Sequence, residues 1–293
     1  MLSRKAAPVK RFILNTQNAD AWRRLVLSGK VTPVLDGCAG ITLAGALELF
    51  ATALAHRDSC GLFSEIHQAS ARGHSLWRAL LTEWCAQAPG ETATDIHRGR
   101  QLEFFRLRTM KDKNSLNLSY FEQRFSSSMK QEGFPPIFSN ALGKVIDEMA
   151  DNVIQHSGTT DDGFTGIAGY HVQNNCAAFA VTDVVAGLLA TLRTSPRWSG
   201  LTTSRAAIRA IAIHHASSRQ DQGDGEGFKQ LFKSLIDHNS LIRIRTDDAA
   251  LTVGNSLNER EGGEVASPLL RGVQISIACG LRDCRAQESE ITI

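Results

Sequence analysis

The chain has no Cys-x-x-Cys pair. Its six cysteines (Cys38, Cys60, Cys85, Cys176, Cys279 and Cys284) are scattered, and several lie in apolar runs where a free thiol packs as a small hydrophobe. Such usage argues against structural zinc and for a reducing, cytoplasmic home. No apolar run has the length of a membrane span, and the opening Met1-Leu-Ser-Arg-Lys-Ala-Ala-Pro8 lacks the apolar core of a secretory signal. The first dozen residues are only weakly basic, a poor organellar presequence. Charge of one sign is scarce too: 32 Lys and Arg against 30 Asp and Glu leave +2. That makes no strong electrostatic case for nucleic acid or an anionic membrane. The locally basic stretches from Arg4 to Arg24 and Arg98 to Lys113 read as solvated faces. No internal repeat is evident. What is present is a chain of 293 residues with an ordinary globular apolar share, enough for one large or two ordinary domains.

Pattern along the chain points to an α/β protein. Val31-Thr-Pro-Val-Leu-Asp36 reads as a strand, Gly37-Cys-Ala-Gly40 as a turn, and residues 43–56 as a helix with Leu47, Leu49, Phe50 and Leu54 on its apolar side. A second helix over 75–88 carries Trp77, Leu80, Leu81 and Trp84 at helical spacing, as core residues. The polar stretch Gln87-Ala-Pro-Gly-Glu-Thr-Ala-Thr94 marks a boundary. Residues 1–94 are then a smaller α/β domain with a regulatory or interaction role, 95–282 a second domain, and 283–293 a charged tail. In the second domain a strand over 102–108 and a helix over 119–130 come first. A hairpin follows, 164–172 and 176–184 joined by Gln173-Asn-Asn175, good turn chemistry. Beyond it are a helix over 203–216, a helix over 228–237, strands over 241–246 and 251–254 joined by a turn at Asp247-Asp248, and a strand over 272–278.

The most informative segment is Val145-Ile-Asp-Glu-Met-Ala-Asp-Asn-Val-Ile-Gln-His156. Leu142, Val145, Ile146, Met149 and Val153 recur at three- and four-residue steps, which predicts a helix with one buried face. Pro135-Pro136 precede it as a breaker and Ser139 is its expected N-cap. Glu148 and Asn152 lie four apart, so they share another face. Alone, this also describes an ordinary amphipathic helix with surface Glu and Asn. Asp183 ends a strand, which on its own also fits a strand-end turn residue. Gly223, Gly225 and Gly227 alternate just before the apolar run Phe228, Leu231, Phe232 and Leu235. Backbone N–H groups exposed by such glycines at a helix start make an anion site.

Taken in order, these parts resemble the GHKL superfamily of ATP-binding domains over about residues 100–280. Glu148-x-x-x-Asn152 matches the first box, Asp183-Val-Val-Ala-Gly187 the second, Gly223-Asp-Gly-Glu-Gly227 the third, and Leu270-Arg-Gly-Val-Gln-Ile-Ser276 resembles the closing strand. The resemblance implies a Bergerat-type α/β sandwich with a mixed, mostly antiparallel sheet. It also implies ATP and Mg²⁺ as cofactors, with Asn152 as the Mg²⁺ ligand and Glu148 as the catalytic carboxylate. Asp183 would read the adenine amine, Gly187 would allow the base close to the backbone, and Gly223, Gly225 and Gly227 would line the phosphates. An amide oxygen suits Mg²⁺, a hard cation that prefers oxygen. A carboxylate one turn away can orient or deprotonate a water or hydroxyl for attack on the terminal phosphate.

The chain departs from the family at Val185, where a glycine is usual, and at Val273, where a threonine is usual. The resemblance implies a lid over 188–222 from which Arg219 could reach the terminal phosphate, though no spacing requires it; His156, one turn beyond Asn152, either approaches the pocket or caps the helix end, and His214-His215 read as lid surface. The N-terminal part loosely resembles a STAS-like module through Val34-Leu-Asp36 and the following Gly-Ile-Thr-Leu-Ala-Gly turn. The expected activity is ATP hydrolysis or phosphoryl transfer in a regulatory switch. An anti-sigma-like serine/threonine kinase and a non-catalytic, nucleotide-gated interaction module stand beside it. A regulatory protein or a second copy of the chain is the expected partner.

Overall fold

The computed structural model describes residues 12–14, 20, 21, 23, 24, 38–55, 68, 75–85, 102–107, 116–156, 166–214, 216, 239–254 and 264–281. The architecture is α/β, with helices layered on an antiparallel sheet. In chain order the elements are β1 (Phe12–Leu14), β2 (Cys38–Ile41), α1 (Leu43–Ala55), α2 (Ser75–Cys85), β3 (Leu102–Leu107), α3 (Leu116–Gln131) and α4 (Pro136–His156). Then come β4 (Gly166–Gln173), β5 (Cys176–Asp183), α5 (Leu188–Leu192), a 3₁₀ turn (Pro196–Trp198), α6 (Ser204–His214), β6 (Asn239–Gly254) and β7 (Glu264–Gly280). Among the described residues the main sheet has five strands in the order β3-β4-β5-β7-β6. Every pairing among these described strands is antiparallel, in keeping with the mostly antiparallel sheet expected, and the parallel pair β1-β2 stands apart.

Strand alternation sorts the sheet residues onto two faces. Phe105, Leu107, Ala168, Tyr170, Phe179, Val181, Ile242, Ile244, Ile275 and Ile277 form one core with α3, α4, α5 and α6. Phe104, Ile167, Ala178 and Ala180, pointing the other way, join α1, α2 and Ile41 in a second core. Helices on both faces explain why β4 and β5 are buried almost throughout. The second core draws on residues from both sides of residue 94. Trp77 lies in it, wholly buried, as its helical spacing suggested.

The hairpin turn is as read: Asn174 and Asn175 both have positive φ, at 53° and 62°, a geometry asparagine tolerates better than most residues and which suits strand twist. Three local expectations are corrected. Cys38–Ile41 is a strand, not a turn, because it pairs with Phe12–Leu14, a distant contact that outweighs the local glycine signal. Ser139 lies inside α4 rather than capping it; the helix opens at Pro136, whose missing N–H costs nothing in the first turn, and the Ser139 hydroxyl donates back to Pro135 O at 3.0 Å. Asp247-Asp248 is not a turn between strands: β6 runs through it with a bulge. The helix expected over 228–237 lies outside the described residues. Among the described residues no helix is long and apolar enough to cross a membrane.

Candidate functional site

Helix α4 carries the feature on which the sequence reading turned. Leu142, Val145, Ile146, Met149 and Val153 are all buried, as the spacing predicts. Glu148 is exposed and Asn152 half-buried, so the two polar residues one turn apart face away from the core stripe. Burying that stripe contributes roughly 1.5–3 kcal/mol per large aliphatic side chain, enough to fix the rotation of the helix about its axis.

The last turn of α4 is seated on the sheet at one particular place. A Cβ built on Gly166 would stand 2.5 Å from Val153 Cγ1 and 2.7 Å from Thr182 O, so glycine is what lets the helix approach there. Gly166 pairs directly with Asp183 across the β4-β5 ladder. The residue after Asn152 therefore rests over the strand pair that ends in Asp183, on the same sheet face. Two of the sequence-derived positions are brought to one end of the sheet by this packing.

Asp183 is buried, with only 4% of its surface exposed. Its Oδ1 accepts the Val185 N–H at 3.1 Å, and the Val273 N–H also donates to the carboxylate. The backbone oxygen of Asp183 accepts Gln274 Nε2 at 2.9 Å. Gly272, at φ +88°, is pressed beneath it: a Cβ there would lie 2.2 Å from Asp183 O and 2.6 Å from Oδ1. Burial pushes the Asp183 carboxyl up to about 7; the two N–H donors pull the other way, and the nearby Asp247 carboxylate adds to the rise.

Gly187 precedes α5 with extended φ of -73° and ψ of 162°. Its lack of a side chain admits Asp247, whose Oδ2 would stand 2.0 Å from a Cβ at that position. Val185 is 41% exposed. The segment after Gly187 is packed: Leu188, Leu192, Ala207, Ile208, Ala210 and Ile211 enter the main core. Thr203 caps α6 through its hydroxyl, which accepts the Ala206 N–H at 3.1 Å. His214 is exposed and stacks on Trp198, with Arg197 over the same ring at 4.9 Å. Gly223, Gly225, Gly227, Arg219, His215 and the side chain of His156 lie outside the described residues.

Sequence reading gave no site role to Gly166, Thr246, Asp247, Gly272 or Gln274, all of which shape this end of the sheet. A signal existed for the glycines, since glycine inside a strand pattern marks close backbone approach. None existed for Thr246, whose buried hydroxyl accepts the Leu188 N–H at 2.9 Å and donates to Gly272 O at 3.0 Å. No protein-family model and no curated protein matches this chain.

Proposed function

We propose that this chain is a GHKL-type protein that binds Mg-ATP and hydrolyses it, or passes its terminal phosphoryl group to a partner side chain, as a cytoplasmic regulatory switch. The observation that supports the reading is the seating of Val153, the neighbour of Asn152, over Gly166, which pairs with Asp183 across the β4-β5 ladder. The donor set suits the ligand. Asn152 offers an amide oxygen to Mg²⁺, Glu148 offers a carboxylate to a water or hydroxyl, and Asp183 offers a desolvated carboxyl to an exocyclic amine. Gly223, Gly225 and Gly227 would supply backbone N–H groups to the phosphates. Mg²⁺, when bound, neutralises phosphate charge; Glu148 orients the nucleophile and Asp183 selects adenine over guanine. A regulatory protein or a second copy of the chain is the partner this reading implies.

A second reading has its own support. Asp183 is held by two backbone donors, and Val185 stands exposed where a glycine would open the approach. Both features favour a nucleotide-gated interaction module without turnover. Thermal shifts with ATP, ADP and GTP, each with and without Mg²⁺, test pocket, base choice and metal together. The proposal expects stabilisation by adenine nucleotides that depends on Mg²⁺, and equal shifts for GTP or none at all would overturn it. Glu148→Ala should keep the ATP shift and lose turnover. Label from ATP appearing on a protein marks the kinase form, free phosphate the ATPase, and binding without turnover in the wild type the interaction module.

A further inference from the structure

A second carboxylate stands between the Asp183 strand end and the helical segment that follows it. Asp247 interrupts β6 at a bulge, with φ of +46° and a break in the β6-β7 register on either side. That left-handed value is uncommon for a residue with a side chain, though asparagine and aspartate tolerate it best. The bulge aims the carboxylate at Gly187, where only the missing Cβ gives it room. It also accepts a hydrogen bond from the Ser204 side chain, at the first residue of α6. The preceding residue, Thr246, holds the Leu188 N–H at the start of α5 and ties to Gly272 O. Gly272 is the residue pressed against Asp183. Two consecutive residues of one strand thus grip the starts of both α5 and α6 and the backbone beneath Asp183.

We propose that Asp247 is a positioning residue for the candidate site: it holds the 188–214 segment against the strand end, so that the packing of that segment and occupancy of Asp183 are coupled. The coupling rests on the reading of Asp183 as the carboxylate that receives the base amine. The grip has a local character because the underside of the segment is secured separately, by Leu188, Leu192, Ile208 and Ile211 in the main core. Loss of the carboxylate loosens the helix starts and leaves β4 and β5 intact.

Hydrogen exchange of the full chain, with Asp247→Gly and Asp247→Asn beside the wild type, decides this. Glycine adopts the positive φ without strain, so Asp247→Gly removes the carboxylate without stressing the bulge. Asparagine keeps an acceptor for Ser204 and tolerates the same backbone. Without nucleotide, Asp247→Gly should speed exchange in 188–192 and 204–214 by about tenfold or more, the effect of losing the side-chain acceptor at the helix starts. Exchange in β4 and β5 should stay unchanged, and Asp247→Asn should stay near wild type. An unaltered segment, or a uniform rise across the chain, overturns the positioning role. With Mg-ATP the wild type and Asp247→Asn should gain protection in the segment and Asp247→Gly should not. A wild type that responds to Mg-ATP in no way overturns the nucleotide reading and the coupling with it, while the exchange difference without nucleotide still decides whether Asp247 holds the segment.

Discussion

The two faces of the main sheet are held by different forces. Against α3, α4 and α6 the sheet is apolar and aromatic, with Phe121 and Phe125 tilted against Tyr170 at 5.1 Å each. Its ion pair, Arg124 with Glu103, which Tyr170 also joins through its hydroxyl at 2.8 Å, sits at the β3 edge. The opposite face has its apolar core over β3 to β5. On that face β6 sets the wholly buried Arg245 and the partly buried Arg243 beneath Glu48 of α1 and the helical turn of Asp20 and Arg23. Arg243 Nε donates to Glu48 Oε1 at 2.8 Å and its other end to Asp20 Oδ2 at 3.1 Å; Arg23 reaches Asp20 Oδ1 at 2.9 Å and Thr52 Oγ1 at 2.8 Å. Three guanidinium groups meet two carboxylates, so burial and Arg245 together push Arg23 down to about 10. An apolar face tolerates many pairings of similar volume. Charges buried in this way accept few, which fits a contact that must fix one register between residues far apart in sequence.

The largest effect should come from unbalancing the ionic face. Glu48→Leu leaves three arginines, two of them wholly buried, with one carboxylate and should cost about 3–5 kcal/mol in denaturant unfolding. Adding Arg243→Met should recover about 2 kcal/mol of it, because the charge left unpaired is then removed as well. Strictly additive losses in the double variant would show that the cluster is held by packing and that the contrast between the faces is false.

That cluster was not legible in the sequence, and the reason is physical. Asp20, Glu48, Arg243 and Ser267 each sit in a segment whose pattern is complete without them, and only tertiary pairing brings them together. Leu142 to Val153, by contrast, announced its buried face through helical spacing, and Asn174-Asn175 announced its turn through residues that tolerate positive φ. Of the candidate site, the positions on helix and strand were legible and their closeness was not. Glu148, Asn152 and Asp183 were named from order and spacing, while the closeness of α4 to Asp183 depends on Gly166, whose role appears only once Val153 lies over it. Asp247 misled the reading because a pair of aspartates marks a turn and a bulge equally well.

Acid and base should act on the two faces in opposite directions. His171 points to the α1 side, buried, with Nδ1 lacking a hydrogen-bond partner, and burial holds it down to about 4 from 6.5. Its contribution is complete above pH 6.5 and is lost as pH falls through 4, a fall on the order of 3 kcal/mol. Asp183, on the α4 side, moves from 3.8 up to about 7. Its contribution is complete below 3.8 and is lost as pH rises through 7. Glu122, raised to about 7 by burial and then Asp147, adds to that second loss. Unfolding curves taken from pH 4 to 8 should therefore lose their acid limb in His171→Gln and part of their neutral limb in Asp183→Asn. An unchanged acid limb in His171→Gln would remove the assignment of that limb to the α1 face.

The smallest effect belongs to the apolar face. Ile146 is wholly buried in α4 beneath the Glu148–Asn152 turn, and Ile146→Val removes one methylene without adding a polar atom. The expected cost is about 0.5–1.5 kcal/mol, the transfer free energy of that group plus a small cavity term. Because the side chain lies on the face of α4 opposite the candidate site, the midpoint of unfolding should drop while any ATP-induced shift stays as in the wild type. Unfolding with and without Mg-ATP separates the two quantities. A cost near that of Glu48→Leu would mean that α4 is fitted as narrowly as the ionic face, and rotation of the helix, rather than the identity of Glu148 and Asn152 alone, would then control what those two side chains meet.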